Sequence, residues 1–153
     1  MEDAQELWIP QPLPGMNDII TKCKGKARLR NGAIVAGMGY SSMKSSWSDT
    51  IRLIARATGF GRVEKGHFTF VYVEPNRRRD PDNICAGARK IVFDALQEAK
   101  LLQNDGWTHV LDIRSHWLVD GDSPGVGLLV HPSRVFERKE VEEWLKNKNK
   151  NHK

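Results

Sequence analysis

Apolar residues recur at helical spacing between residues 84 and 102 more regularly than anywhere else in the chain. The positions are Ile84, Ala88, Ile91, Val92, Ala95, Leu96, Ala99 and Leu102. A period of 3.6 residues places them on one helix face, so the pattern predicts a long amphipathic helix. Residues 42–58 repeat the pattern and end at Gly59, which predicts a second helix. Residues 133–145 predict a third, with Ser133 as its N-cap.

Strand-forming residues cluster in three stretches. Residues 67–74 are aromatic and β-branched and end at Pro75, which predicts a strand. Residues 108–119 and 125–130 predict two more, and the short turn between them predicts a hairpin. Residues 1–31 predict little regular structure: a proline-rich turn is followed by a basic loop over residues 22–30.

These elements predict one α/β (α+β) domain with a mixed sheet and flanking helices over residues 1–145. The lysine- and asparagine-rich residues 146–153 predict a disordered basic tail. The 153 residues carry a net charge of +5, which is compatible with an anionic partner. Two cysteines without metal-site spacing, and no long apolar stretch, lead us to expect a soluble intracellular protein with reduced thiols and no membrane association.

Charged residues are concentrated just before the long helix. Arg77, Arg78 and Arg79 precede Asp80-Pro81-Asp82, and Asp105 follows the helix. Carboxylates are ligands for Mg²⁺, and guanidinium groups suit phosphate oxygens. Each piece also has a structural interpretation: an Asp N-cap with Pro in the first turn, a solvated arginine run, and an Asn-Asp-Gly turn. Their combination favours a metal site that faces a phosphodiester.

The ordered motifs of this segment resemble the RusA family of Holliday-junction resolvases, in particular its prophage branch. The motifs are Arg77-Arg78-Arg79-Asp80-Pro81-Asp82-Asn83, Phe93-Asp94-Ala95-Leu96 and Asn104-Asp105-Gly106-Trp107. The resemblance covers residues 74–119 and is weaker over residues 12–17, where a proline-asparagine turn ends at Asn17. It does not extend to the C-terminal helix and tail.

The resemblance implies a homodimer that cuts four-way DNA junctions in the bacterial cytoplasm, with Mg²⁺ or Mn²⁺ as cofactor. It places the catalytic metal ligands on Asp80, Asp82 and Asp105 and the essential lysine on Lys90. The expected DNA contacts are Arg77, Arg78, Arg79, Arg89 and Asn17.

The lysine assignment departs from the family pattern. In the best-known bacterial form the lysine follows the second aspartate by about one helical turn, whereas Lys90 follows Asp82 by eight residues. Either residues 83–87 form an extended loop, or Arg89 or Lys90 acts from one turn further along the helix.

Three alternatives stay open at this stage. The same aspartates would serve a nuclease that acts on other DNA structures, and the same basic residues would serve a non-cleaving protein that binds branched DNA. A phosphohydrolase acting on small molecules is the third. A further question is whether Asp105 joins the other aspartates within one chain. Because a long helix separates them, we expect a two-fold partner to supply Asp105.

Overall fold

The strand predicted near residue 70 forms the centre of the sheet. The computed structural model describes residues 1–24, 26–28, 30–36 and 38–151, with the side chains of residues 26–28, 34–36 and 38 outside the description. The strands are β1 Gln5–Ile9, β2 Lys26–Arg28, β3 Ile34–Ala36, β4 Gly66–Glu74, β5 Val110–Val119 and β6 Gly125–His131. The helices are α1 Met16–Lys24, α2 Met38–Thr58, α3 Pro81–Glu98 and α4 Arg138–Asn151.

Four strands form a mixed sheet in the order β1-β6-β4-β5, and β2 and β3 form a separate antiparallel pair. Strand β4 pairs parallel with β5 and antiparallel with β6, which in turn pairs antiparallel with β1. Its residues are buried almost throughout, because side chains of both faces are covered. This confirms the predicted mixed sheet with flanking helices.

Each face of the sheet has its own apolar core. On one face, Phe68, Phe70 and Tyr72 pack with residues of α1, α2 and α3. On the other, Val71 and Val73 pack with Phe136 and with Val141 and Trp144 of α4. The alternation of β4 side chains between the two faces therefore produces three layers, with the sheet in the middle.

The predicted hairpin is wrong. Strands β5 and β6 are joined by the short connection 120–124, but β4 lies between them and pairs with both. A strand that is apolar on both faces takes the centre of the sheet, where each face is covered and each edge is paired. The connection therefore crosses the end of β4, where the Asp120 N–H donates to the Glu74 carbonyl at 2.9 Å.

Two further expectations are corrected. The first 31 residues contain β1, α1 and β2, so they are more regular than predicted, and Lys22 and Lys24 lie in the last turn of α1. The basic side chains of Lys26 and Arg28 lie outside the described residues. Helix α4 continues to Asn151, so the expected disordered tail is helical from residue 146 to 151, and residues 152–153 lie outside the description.

None of the described helices is both long enough and apolar enough to cross a membrane.

Candidate active site

The two neighbouring aspartates lie at the start of α3. Asp80 is the N-cap, with extended backbone angles (φ −73°, ψ 146°), and Pro81 opens the first turn, as expected from their helix-starting preferences. The Asp80 carboxylate nevertheless makes no capping hydrogen bond. Asp80 and Asp82 are both exposed, and neither forms an ion pair with a described residue. Capping therefore explains the position of Asp80 but does not occupy its carboxylate.

The three arginines before the helix divide into two groups. The Arg79 Nε donates to the buried carboxylate of Glu74 at 2.8 Å, and its Nη1 donates to the Leu13 carbonyl at 2.8 Å. This guanidinium thus ties the end of β4 to the N-terminal loop. Arg77 and Arg78 are exposed and precede the aspartates in the chain. They are the arginines of the run that are available to a phosphate.

An N-terminal loop packs against the first two turns of α3. The Asn83 side chain accepts a hydrogen bond from the Asn17 backbone N–H at 2.7 Å. One turn later, a Cβ on Gly87 would lie 2.6 Å from the Gly15 Cα and would overlap the Pro14 carbonyl. The absence of a side chain at Gly87 is therefore what lets the loop reach the helix. The contact places the exposed Asn17 near the start of α3.

A cleft of about 380 Å³ opens beside Asp80. Its lining combines charged and apolar residues: Glu74, Asn76, Arg77, Arg79, Asp80, Pro81, Ile84, Trp117, Leu118, Val119 and Arg138. The Nε1 of the lining residue Trp117, and the hydroxyl of Tyr72 opposite it on β4, are buried without a hydrogen-bond partner among the described residues. No motif in the sequence marks Trp117 or Arg138, which lie far from the aspartates in the chain. The signal in the sequence that points to this cleft is Glu74, a charged residue at the end of the apolar strand β4.

Asp105 lies at the opposite end of the molecule. It is exposed in the turn that follows α3 and precedes β5, whereas Asp80 and Asp82 follow the last residue of β4. Because β4 and β5 are parallel, these two positions belong to opposite ends of the sheet. The 18 residues of α3 span about 27 Å between them. One chain does not bring the three aspartates together.

The two basic candidates on α3 point in different directions. Lys90 contacts Asp94 at 3.7 Å and lies 5.7 Å from the centre of the Tyr40 ring, so it faces α2. Burial lowers the pKa of Lys90, but Asp94 and Tyr40 outweigh that effect and raise it above its ordinary value. The Arg89 Nη2 lies 3.9 Å from the Cys85 Sγ, which itself lies 3.6 Å from the Asp82 carbonyl. Arg89 follows Asp82 by seven residues, about two helical turns, and therefore shares its helix face.

The start of α3 excludes one of the two explanations for the shifted lysine. Residues 83–87 are helical, so they form no extended loop. Lys90 lies about 12 Å along the helix axis from Asp82, at 1.5 Å for each of eight residues. A basic residue that serves this end of the helix therefore has to reach back, and Arg89 has the better orientation.

Within the described residues, no group of three or more His, Cys, Asp or Glu side chains is arranged to hold a metal ion. Two carboxylates are nevertheless sufficient for Mg²⁺ when water and substrate phosphate complete the shell. Asp80 and Asp82 meet that requirement in residue type and exposure. No family model and no curated protein matches the chain.

Proposed function

We propose that this chain is a Mg²⁺-dependent endonuclease that resolves four-way DNA junctions. The observation that carries the proposal is the pair of exposed carboxylates at the start of α3, neither held by an ion pair to a described residue. Arg77 and Arg78 are exposed just before them in the chain. Carboxylates that can hold a metal ion, next to guanidinium groups that can bind phosphate, are suited to phosphodiester hydrolysis.

In this proposal Asp80 and Asp82 hold Mg²⁺ or Mn²⁺, with Arg77 and Arg78 on the phosphates beside the scissile bond. The metal supplies an activated water and stabilises negative charge on the phosphate oxygens. Arg89 takes the role that the family resemblance gives to Lys90, since Lys90 faces α2 and Asp94. Asn17 adds a contact from the first turn of α1, which is bonded to Asn83 of α3. Arg79 holds the loop in place and does not contact DNA.

The position of Asp105 favours a site that is completed by a second copy of the chain. One chain offers Asp80 and Asp82 at one end and Asp105 at the other. A two-fold axis would place the partner's Asp105 turn near the first two carboxylates and would produce two equivalent sites. Two sites related by symmetry match a substrate in which two strands of like polarity must be cut.

The test is incubation of the protein with a labelled four-way junction and with a linear duplex of the same sequence, each in Mg²⁺ and in EDTA. We expect paired nicks in the junction, in Mg²⁺ alone. Equal cutting of the duplex would assign the chain to nucleases of broader specificity. Tight junction binding without cleavage in Mg²⁺ would make it a binding protein, and the catalytic proposal would be wrong.

Mixing two inactive variants tests the shared site. Asp82→Asn and Asp105→Asn proteins are each expected to be inactive. If sites are shared, a mixed dimer carries one site with both defects and one site with none. Nicking of one strand of each junction should therefore return. If all three aspartates acted within one chain, each subunit would keep a defect, and heterodimers verified by two affinity tags would remain inactive.

A further inference from the structure

Strand β5 is an outer strand of the sheet with one edge open. It pairs with β4 along one side, and no described strand lies on the other. Its backbone groups alternate in direction, so every second residue presents its N–H and C=O to the open edge. The Ile113 N–H bonds to its own neighbour's side chain, Asp112, at 2.8 Å, and the Trp117 carbonyl accepts from Arg138 at 3.2 Å. The odd-numbered residues therefore face outward.

These two contacts define which part of the edge can accept another strand. Arg138 covers the Trp117 end, and a bulge at Leu111 interrupts the register with β4 at the other. The Asp112 carboxylate covers the Ile113 N–H only through a bond within the strand. That bond can be exchanged for a ladder bond without moving any other element. The accessible stretch is short and is centred near Ile113.

We propose that β5 pairs antiparallel with β5 of a second copy, with Ile113 opposite Ile113. This register places Asp112 of each chain opposite Arg114 of the other, so the edge is complementary to itself in charge. A shift to either side would instead set Asp112 opposite Asp112 or Arg114 opposite Arg114, and like charges directly opposite are destabilising. Arg114 already lies 3.2 Å from the exposed Glu137, and the partner's Asp112 would be a second acceptor.

The pairing has a direct consequence for the cleft. An antiparallel strand pair has its two-fold axis perpendicular to the sheet, so α1, α2 and α3 of both copies lie on the same face. With the two-fold axis between the two copies of Ile113, the turn that precedes β5 in one chain lies toward Val119, at the end of β5 in the other. Val119 is half exposed and lines the cleft beside Asp80. The partner's turn 103–109 is thereby brought to the cleft.

Trp107 is the side chain of that turn with the clearest need for a partner. It is 97% exposed, although a large aromatic side chain contributes strongly to stability when it is buried. Hydrogen bonds from the N–H groups of His109 and Val110 to the Gly106 carbonyl brace the turn that presents it. In the dimer, Trp107 covers the apolar wall of the cleft, formed by Ile84, Trp117 and Val119. The inference rests on the proposed function only in that the same pairing carries Asp105 toward Asp80.

Cysteine cross-linking tests the register without reference to activity. In a chain with Cys23→Ser and Cys85→Ala, Asp112→Cys protein is mixed with Arg114→Cys protein and oxidised. Opposite residues of a pair without ladder bonds have Cα atoms about 4.5 Å apart, within disulfide range. We expect the mixture to form a disulfide dimer and each variant alone to form none. A disulfide dimer of either variant alone would overturn the register. So would the absence of a disulfide dimer in the mixture.

Two substitutions test the interface in solution by sedimentation. Ser115→Pro removes an outward N–H, whereas the matched Ser115→Ala keeps it. Of the two, we expect only the proline variant to be monomeric, with the same helix content as the wild type. Trp107→Ala should weaken dimerisation at least about tenfold. A dimer unaffected by Trp107→Ala but with impaired DNA binding would show that the indole contacts DNA and would overturn its place in the cleft. Cross-linked dimers that cut no junction would leave the interface standing and remove the proposed function.

Discussion

Replacement of Asp82 by asparagine is expected to abolish Mg²⁺-dependent cleavage of a four-way junction and to leave junction binding intact. The substitution keeps the shape of the side chain but removes a ligand charge at the start of α3. Metal stabilisation of phosphate charge is worth several kcal/mol, and each 1.36 kcal/mol corresponds to a factor of about ten in rate. The cleavage rate should therefore fall at least about 100-fold. Binding should persist, because a charge that repels phosphate has been removed.

Asp80→Asn should behave in the same way, since its carboxylate makes no capping hydrogen bond whose loss would unfold the helix start. Asp3→Asn is the matched control: it changes the same charge at an exposed position, at the end of the sheet opposite to Asp80, where φ is 58° and asparagine is well tolerated. Rates are compared at saturating protein with thermal unfolding of every variant as a check. An Asp82→Asn protein that cuts at the wild-type rate would remove Asp82 from the site.

Gly87→Ala is expected to destabilise the protein although it replaces glycine inside a helix. By helix propensity alone, alanine would stabilise by about 1 kcal/mol. Here the added Cβ would lie 2.6 Å from the Gly15 Cα and would overlap the Pro14 carbonyl, so backbone atoms would have to move. Overpacking of this kind costs about 1–3 kcal/mol. We expect the free energy of unfolding, measured by urea titration, to fall by about that amount.

Gly121→Ala is the matched control for this substitution. Its Cβ would stand 3.7 Å from the Pro75 carbonyl oxygen, an ordinary contact. We expect its stability to stay within about 0.5 kcal/mol of the wild type, as for most surface substitutions. A Gly87→Ala protein as stable as this control would mean that the N-terminal loop is not held against α3 as described.

Elements with a long, uninterrupted hydrophobic periodicity were predicted correctly from the sequence. Strand β4 and helix α3 have long, uninterrupted periodicities, and the structure contains both near the expected residues. Strand β1 and helix α1 were missed because they are five and nine residues long and lie on either side of a proline-rich turn. The hairpin was wrong for a different reason: adjacency in the chain favoured pairing β5 with β6, while the burial of β4 on both faces favoured its insertion between them.

The candidate site likewise has features that are local in the sequence and features that depend on the fold. Asp80 and Asp82 are two residues apart, so their proximity needs no knowledge of the fold. The separation of Asp105 from them depends on the parallel pairing of β4 and β5, which no local pattern reveals. The internal role of Arg79 depends on the fold as well, since its partner Glu74 is buried and its second partner, Leu13, lies 66 residues away.

The pairing of β1 with β6 also constrains how the chain reaches its native state. Residues 5–9 are hydrogen-bonded to residues 126–130. Strand β1 is therefore synthesised long before its pairing partner β6. Contacts this distant in sequence raise the contact order, and a high contact order slows folding because a long loop must close before the contact stabilises anything. Until β6 has been synthesised and has paired with β4, the apolar faces of β4 stay exposed to water. Synthesis of the final third of the chain, which contains β5, β6 and α4, is therefore the step that completes the core.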